Sequence, residues 1–343
     1  GTIDIAADGL IAMASTAQLD TSSVDTSIRV AAGSSVAVGI VNADLGNVSI
    51  SGTTITDSGL DETDVTATNV RLDAYAATGG IGASSNALDL SAVTLSTRSG
   101  DGGTYLREAT SVTVSTTPLI GVNRVLSDAT LAGVGPSDAA QSDLLSDGDL
   151  ILIVRHDVLL RDGTNPSDGI TGLAISGVDN VRIESLEDSA TVEADVRSVS
   201  ENLTVLADDA ISLAANVDWT VGTNGTVYAK AANGAFTMHE TATIVTANGD
   251  IYIEAGNHVD DYIALGDVTA SDANVYLRTR GYVAEAVDAD NEITANGLAI
   301  SADVGIGLLG SSANPIEIEV DILTAVIGSA WGMNLLEADG LAI

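Results

Sequence analysis

The residues of this chain best suited to chemistry are carboxylates, amides and three histidines, and their spacing decides which chemistry is open. Asp162-Gly163-Thr164-Asn165-Pro166-Ser167-Asp168-Gly169 is an oxygen-rich loop in which Asp162, Asn165 and Asp168 offer the donors that a hard cation such as calcium takes. The loop lacks the glutamate at the twelfth place of an EF-hand, and the Gly-Gly-x-Gly-x-Asp repeat of calcium-binding β-rolls is absent. An Asx turn punctuated by Pro166 therefore competes with calcium as the reading of this loop. His258-Val259-Asp260-Asp261 would give a metal one imidazole and a carboxylate, but His156 and His239 do not stand near it at the spacing of a zinc site, so an ordinary turn is the simpler account.

Covalent and acid–base catalysis find less support. Cleavage of a glycan needs two carboxylates at a set separation in a groove lined by aromatic or basic side chains. With 48 acidic residues any two acids are a weak signal, and at 3% aromatic content the grooves should lack aromatic platforms. No nucleophile elbow is present, and the one lysine, Lys230, is followed by Ala231, so there is no phosphate-binding Gly-Lys-Ser/Thr. Trp219 and Trp331 could each stack on a sugar, but a lone Trp on a strand equally fits packing. A non-enzymatic chain is expected, with no cofactor beyond the calcium considered above.

The formal net charge is −36, from 48 acids against 12 bases. Such a surface repels nucleic-acid phosphates and anionic lipid, and neither is an expected partner. No cysteine is available for disulfides or thiolate metal sites, and no run of 18 apolar residues exists that would insert in a membrane. Neither an initiator Met nor a signal peptide stands at Gly1, so an excerpt of a longer protein is expected. Sequons at Asn47, Asn202 and Asn224 are expected by chance in so Asn- and Thr-rich a chain.

The elements that must position these residues are short strands. Apolar-x-apolar triplets recur at Val181/Ile183, Leu203/Val205, Val227/Ala229, Ile251/Ile253, Val275/Leu277, Leu298/Ile300, Val320/Ile322 and Leu341/Ile343. A less even series runs through Ile3/Ile5, Ile28/Val30, Val48/Ile50, Val70/Leu72, Val93/Leu95 and Val112/Val114. Period-two alternation returning about every 23 residues predicts an all-β parallel solenoid, each strand stacked on its counterpart one coil later. Roughly 15 coils at about 4.8 Å each would make a rod on the order of 70 Å long. Residues 115–149, with Pro118 and Pro136, interrupt the pattern and read as irregular coils or a protruding loop, because a proline deletes a ladder hydrogen bond.

A larger unit overlies the coils. Residues 61–114 lie over 289–343 with a shift of 228 that becomes 229 after one insertion: Val70-x-Leu72 on Leu298-x-Ile300, Leu88-Asp89-Leu90 on Ile316-Glu317-Ile318, Leu106-x-Glu108-Ala109 on Leu335-x-Glu337-Ala338. Upstream, Ile28-Arg29-Val30 resembles Ile251-Tyr252-Ile253, and Asn47-Val48-Ser49-Ile50 resembles Asn274-Val275-Tyr276-Leu277. The chain is read as one continuous solenoid holding about one and a half copies of a unit of about 228 residues.

The segment from Ile306 to Val320, followed by Leu323-Thr324-Ala325 and Asn334-Leu335-Leu336-Glu337-Ala338-Asp339-Gly340-Leu341, resembles the repeats of filamentous-haemagglutinin-like giant bacterial surface proteins. The likeness covers about two-thirds of the chain and carries no catalytic motif. It implies a right-handed parallel β-helix, the hand also favoured for parallel crossovers, serving as the shaft of an adhesin or extracellular fibre. The partners it implies are neighbouring repeats of the same chain, other copies in a fibre, and a host-surface or glycan ligand bound elsewhere in the protein. Two alternatives stand beside the shaft: a protomer that self-assembles into an extracellular filament or sheath, and a β-helical carbohydrate-active enzyme or tailspike-like glycan binder.

Overall fold

The computed structural model describes residues 1–21, 26–59, 63–132, 135–164, 171–286, 292–309, 313–328 and 331–338. Every regular element among them is a strand, and the strands pair in parallel except for one short antiparallel pair, Ile120–Gly121 with Ser137–Asp138. The result is a β-solenoid of about 13 turns with about 24 residues per turn. The sequence count of 15 coils is too high because residues between Val114 and Leu144 leave the parallel ladder, using chain without adding a coil.

Contacts group the chain into two units, Gly1–His156 with Leu160–Val178, and Asp157–Leu159 with Asp179–Ile343. In the second, each regular coil contributes three strands to three ladders. One ladder stacks Val181–Ser185, Leu203–Ala207, Val227–Ala231 and Ile251–Ala255 in register, so that Val181, Leu203, Val227, Ile251, Val275 and Leu298 form a single inward column. All six are buried, as is the parallel column from Ile183 to Ile300. Each Val, Leu or Ile of these columns contributes roughly 1.5–3 kcal/mol by leaving water. The single Phe, Phe236, and Trp219 belong to the other two ladders and meet inside the coil edge to face, centroids 6.2 Å apart at 74°. In the first unit the ladder that corresponds to it under the long repeat stacks Ile3–Ala7, Ser27–Ala32, Asn47–Gly52, Val65–Ala74 and Leu88–Ser99.

Turn asparagines stack as the strands do. Asn69 donates to Asn47 at 2.6 Å, Asn202 to Asn180 at 2.9 Å, Asn248 to Asn224 at 3.2 Å and Asn257 to Asn233 at 2.6 Å. A side-chain amide is both donor and acceptor, so it satisfies itself one coil away in a parallel stack. All three sequon asparagines sit in these ladders, with their amide oxygens accepting hydrogen bonds.

Two triplets were read in the wrong register. Leu298 stacks on Leu323, and Val70 on Leu95. Val93 and Ile322 point into solvent instead of into the column. Both lie in long strands, Leu88–Ser99 and Ile316–Ile327, which span two ladder segments and carry outward-facing branched residues between them. Alternation alone cannot see that break. The triplet Leu341/Ile343 lies outside the described residues.

The inside/outside phase is open to test at adjacent positions. Ile253 is fully buried, while Glu254 faces outward between Lys230, at 3.4 Å, and Arg278, at 4.0 Å. Ile253→Asp should cost several kcal/mol by placing a carboxylate in a dry column, whereas Glu254→Gln loses only exposed ion pairing of about 1 kcal/mol or less. Chemical denaturation of the two variants checks this; equal losses would place the phase one residue out.

Candidate functional site

The first unit presents a covered face. Its register aligns Asp4, Arg29, Ser49, Arg71 and Ser96 in one outward column between inward-facing residues of the ladder. The segment from Thr117 to Gln141 folds on itself as an antiparallel arm, closed by Thr117 with Gln141, Ile120–Gly121 with Ser137–Asp138, and Val125 with Leu131. This arm hydrogen-bonds every member of the column. Arg124 donates to Asp4, Arg29 to Asp138 at 3.0 Å, Ser49 to Asp138 at 2.6 Å and Arg71 to the Ala139 carbonyl at 3.2 Å, while Ser96 pairs with Thr117 at 2.7 Å. Gln141 adds a bond to the Leu72 carbonyl at 3.0 Å. Ser49 and Ser96 are fully buried beneath it.

In the second unit the corresponding column carries tyrosines. Under the long repeat Arg29 corresponds to Tyr252, Ser49 to Tyr276 and Arg71 to Ala299, and the ladder continues the column from Tyr228 through these to Thr324. Tyr228 stacks on Tyr252 at 5.2 Å and 23°, and Tyr252 lies 6.4 Å from Tyr276. Beside them runs Lys230, Glu254 and Arg278, a column of alternating charge. Tyr262 and Tyr282 make a second stack, 5.0 Å apart and parallel. The low aromatic content had suggested no aromatic platform; five tyrosines concentrated in one unit supply two stacks. The signal was in the sequence, since Tyr228, Tyr252 and Tyr276 fall at one-coil spacing at the middle of successive triplets.

Clusters of acids, each with at least one buried member, also recur. Carboxylate oxygens of Asp57, Asp64 and Asp89 lie within 4.8 Å of one another, as do those of Glu285, Glu292 and Glu317. Each member of the second set is 228 residues after its counterpart in the first. The backbone bonding recurs as well: Asp89 N–H donates to the Asp64 carboxylate at 2.8 Å and Glu317 N–H to that of Glu292 at 2.7 Å. A third pair follows the same rule. Glu108 accepts from the Ala92 N–H at 2.9 Å, and Glu337 from that of Val320 at 3.4 Å. These acids satisfy backbone amides at corners, where an unpaired buried donor would be costly.

Burial pushes the Asp64 carboxyl up to about 8, opposed by the Asp89 N–H and reinforced by a hydrogen bond and charge from Asp57. Burial also raises Glu108, against the donors of Thr110 and Ala92. Two carboxyls in such contact hold a proton between them more readily than two charges. Three carboxylates are also a donor set for a hard cation, but the shared proton and the backbone donors account for the Asp57 cluster without one.

The residues singled out by sequence stand apart from both features. Asp162 accepts from the Gly172 N–H at 3.0 Å, while Asn165 and Asp168 lie outside the described residues. The His258 segment is a turn: the Asp261 carboxylate accepts from the Asn257 and His258 N–H groups at 3.0 and 2.8 Å. Gly256 there has φ +63°, and a Cβ would sit 1.9 Å from that of Asp261, so glycine is required. His239 pairs with Thr241 at 3.1 Å. Trp219 is in the core, and Trp331 is exposed.

Comparison with family models, with curated proteins and with solved structures returns no match.

The acid cluster predicts a pH dependence. Folded Asp64 keeps its proton up to about pH 8, while the unfolded chain releases it near 3.8. Between those values the folded state holds the extra proton, so this contribution to stability is complete below the lower value and is lost as pH rises through the upper one. Asp64→Asn mimics the protonated form and should stabilise the protein by a few kcal/mol at pH 8.5 with little effect at pH 4. Melting curves of both proteins across that range check it; a difference independent of pH would contradict the shared proton.

Proposed function

We propose that this chain is a non-enzymatic shaft segment of a very large secreted or cell-surface repeat protein, an adhesin stalk or extracellular fibre of the filamentous-haemagglutinin-like kind. The observation that carries the reading is where the acids go. Of the chain's 48 acids, Asp64, Glu108 and Glu292 are buried, and each accepts from an N–H of a neighbouring strand. Carboxyls so placed brace corners and are closed to a polymeric substrate. What the repeat multiplies is the coil, and each added coil extends the stack by about one strand spacing, 4.8 Å. The acidic surface keeps such a shaft soluble and clear of phosphate-rich surfaces.

Immunogold electron microscopy of the producing cells, with antibody raised against this chain, tests the proposal. Gold along thin projections outside the cell is the expected result. Label confined to the cell interior would overturn it.

A further inference from the structure

The dipeptide Asn-Gly stands at Asn224, Asn233, Asn248 and Asn296. Such a pair can modify itself, because a glycine nitrogen, with no Cβ beside it, can reach the carbonyl carbon of the preceding asparagine side chain. At two of these places packing makes the glycine compulsory. A Cβ on Gly225 would lie 1.9 Å from the Glu201 carbonyl oxygen, and one on Gly249 1.8 Å from that of Gly225. Close stacking of corners thus builds the reactive pair into the turn, and the hydrogen bonds around each pair decide which can react.

Three of the pairs are held. The Gly225 N–H donates to the Gly222 carbonyl at 2.9 Å, so the nitrogen that would attack Asn224 is engaged. The Asn233 amide is gripped at both ends, donating to Asp208 at 3.0 Å and accepting from Asn257 at 2.6 Å. Asn296 lies within the strand Ile293–Ala302, where pairing of Gly297 with Asn274 on one side and Ile322 on the other fixes the backbone that ring closure would have to turn. Asn248 differs. Its own N–H donates to the Thr223 carbonyl at 2.8 Å and the Gly249 carbonyl accepts from the Thr246 hydroxyl, but the Gly249 N–H has no acceptor among the described residues. The Asn248 amide is tied there at one end alone, through Nδ2 to Asn224 at 3.2 Å.

We propose that Asn248 is a site of spontaneous deamidation, selected by the fold from among the Asn-Gly pairs. The Gly249 nitrogen bonds to the Asn248 side-chain carbonyl carbon, and the bond from that carbon to Nδ2 breaks. The proton of the Gly249 nitrogen, passed through solvent, leaves with Nδ2 as ammonia. Water then opens the cyclic imide at either carbonyl, giving aspartate or isoaspartate. Both products lose the donor that reaches Asn224 and add a negative charge. Isoaspartate also routes the main chain through the side-chain carbon, lengthening it at a corner that stacks on its neighbours. The shaft reading does not depend on this chemistry.

Peptide mapping by mass spectrometry tests the proposal on the whole chain, stored folded and, in parallel, unfolded in urea at the same mildly alkaline pH. Unfolded, the four pairs should convert at similar rates, since each is then only a dipeptide in a flexible chain. Folded, Asn248 should convert about tenfold faster than Asn224, the factor set by one ordinary hydrogen bond that must break before attack. It should also outpace Asn233 and Asn296. Asn248→Gln, which keeps an amide but closes the imide ring far less readily, should silence conversion in that peptide and leave the other three as they were. A folded chain in which Asn248 is no faster than the other three, or in which it converts only after unfolding, overturns the proposal.

Discussion

A parallel stack one strand apart requires every residue to be compatible with what occupies its own position in the coils above and below. Aliphatic columns meet this condition without cost, and they fill the interior from Val181 to Leu298. Asn202 and Asn233 meet it by donating to the coil before, at Asn180 and Asp208, and accepting from the coil after, from Thr226 and Asn257. Charges meet it by alternating, as in Lys230, Glu254 and Arg278, or Asp4 and Arg29. Where like charges stack, as at Asp64 with Asp89 and Glu292 with Glu317, something else must compensate, and there the structure supplies backbone N–H groups and, at Asp64, a retained proton.

That constraint explains what could be read in advance. Columns leave a period in the sequence, so the triplets, the parallel pairing and the inward phase at Ile251 and Ile253 were legible. The break at Val93 and Ile322 was not, because a branched apolar residue turned outward between ladder segments looks like one turned inward. The tyrosine column leaves its mark in spacing and not in composition, since Tyr228, Tyr252 and Tyr276 are few but one coil apart. The acid clusters join residues 7 and 25 apart, which adjoin only once coil length and corners are known. Laying the two copies over each other would have exposed them.

The arm is the one large departure from the column rule. Its strands pair antiparallel and with each other, and it meets the ladder through side-chain hydrogen bonds, some of them to the main-chain carbonyls of Ala139 and Leu72. The column it covers in the first copy corresponds, under the long repeat, to one that carries Tyr252 and Tyr276 in the second. A repeat that keeps its coils and changes its surface column can hold the same core while altering what the outside binds.

The register of the stack is the central claim, and the absence of cysteine allows it to be measured directly. Tyr228 and Tyr252 are paired one coil apart, so cysteines placed at both should sit within the roughly 4.4–6.8 Å Cα separation that a disulfide spans. Cysteines at Tyr228 and Arg278, two coils apart and two residues out of line, should lie beyond it. Under mild oxidation of the two double variants, rapid disulfide formation by Tyr228→Cys with Tyr252→Cys, and none within the chain by Tyr228→Cys with Arg278→Cys, is the predicted result. No bond in the first pair, or equal oxidation of both, would contradict the in-register stack.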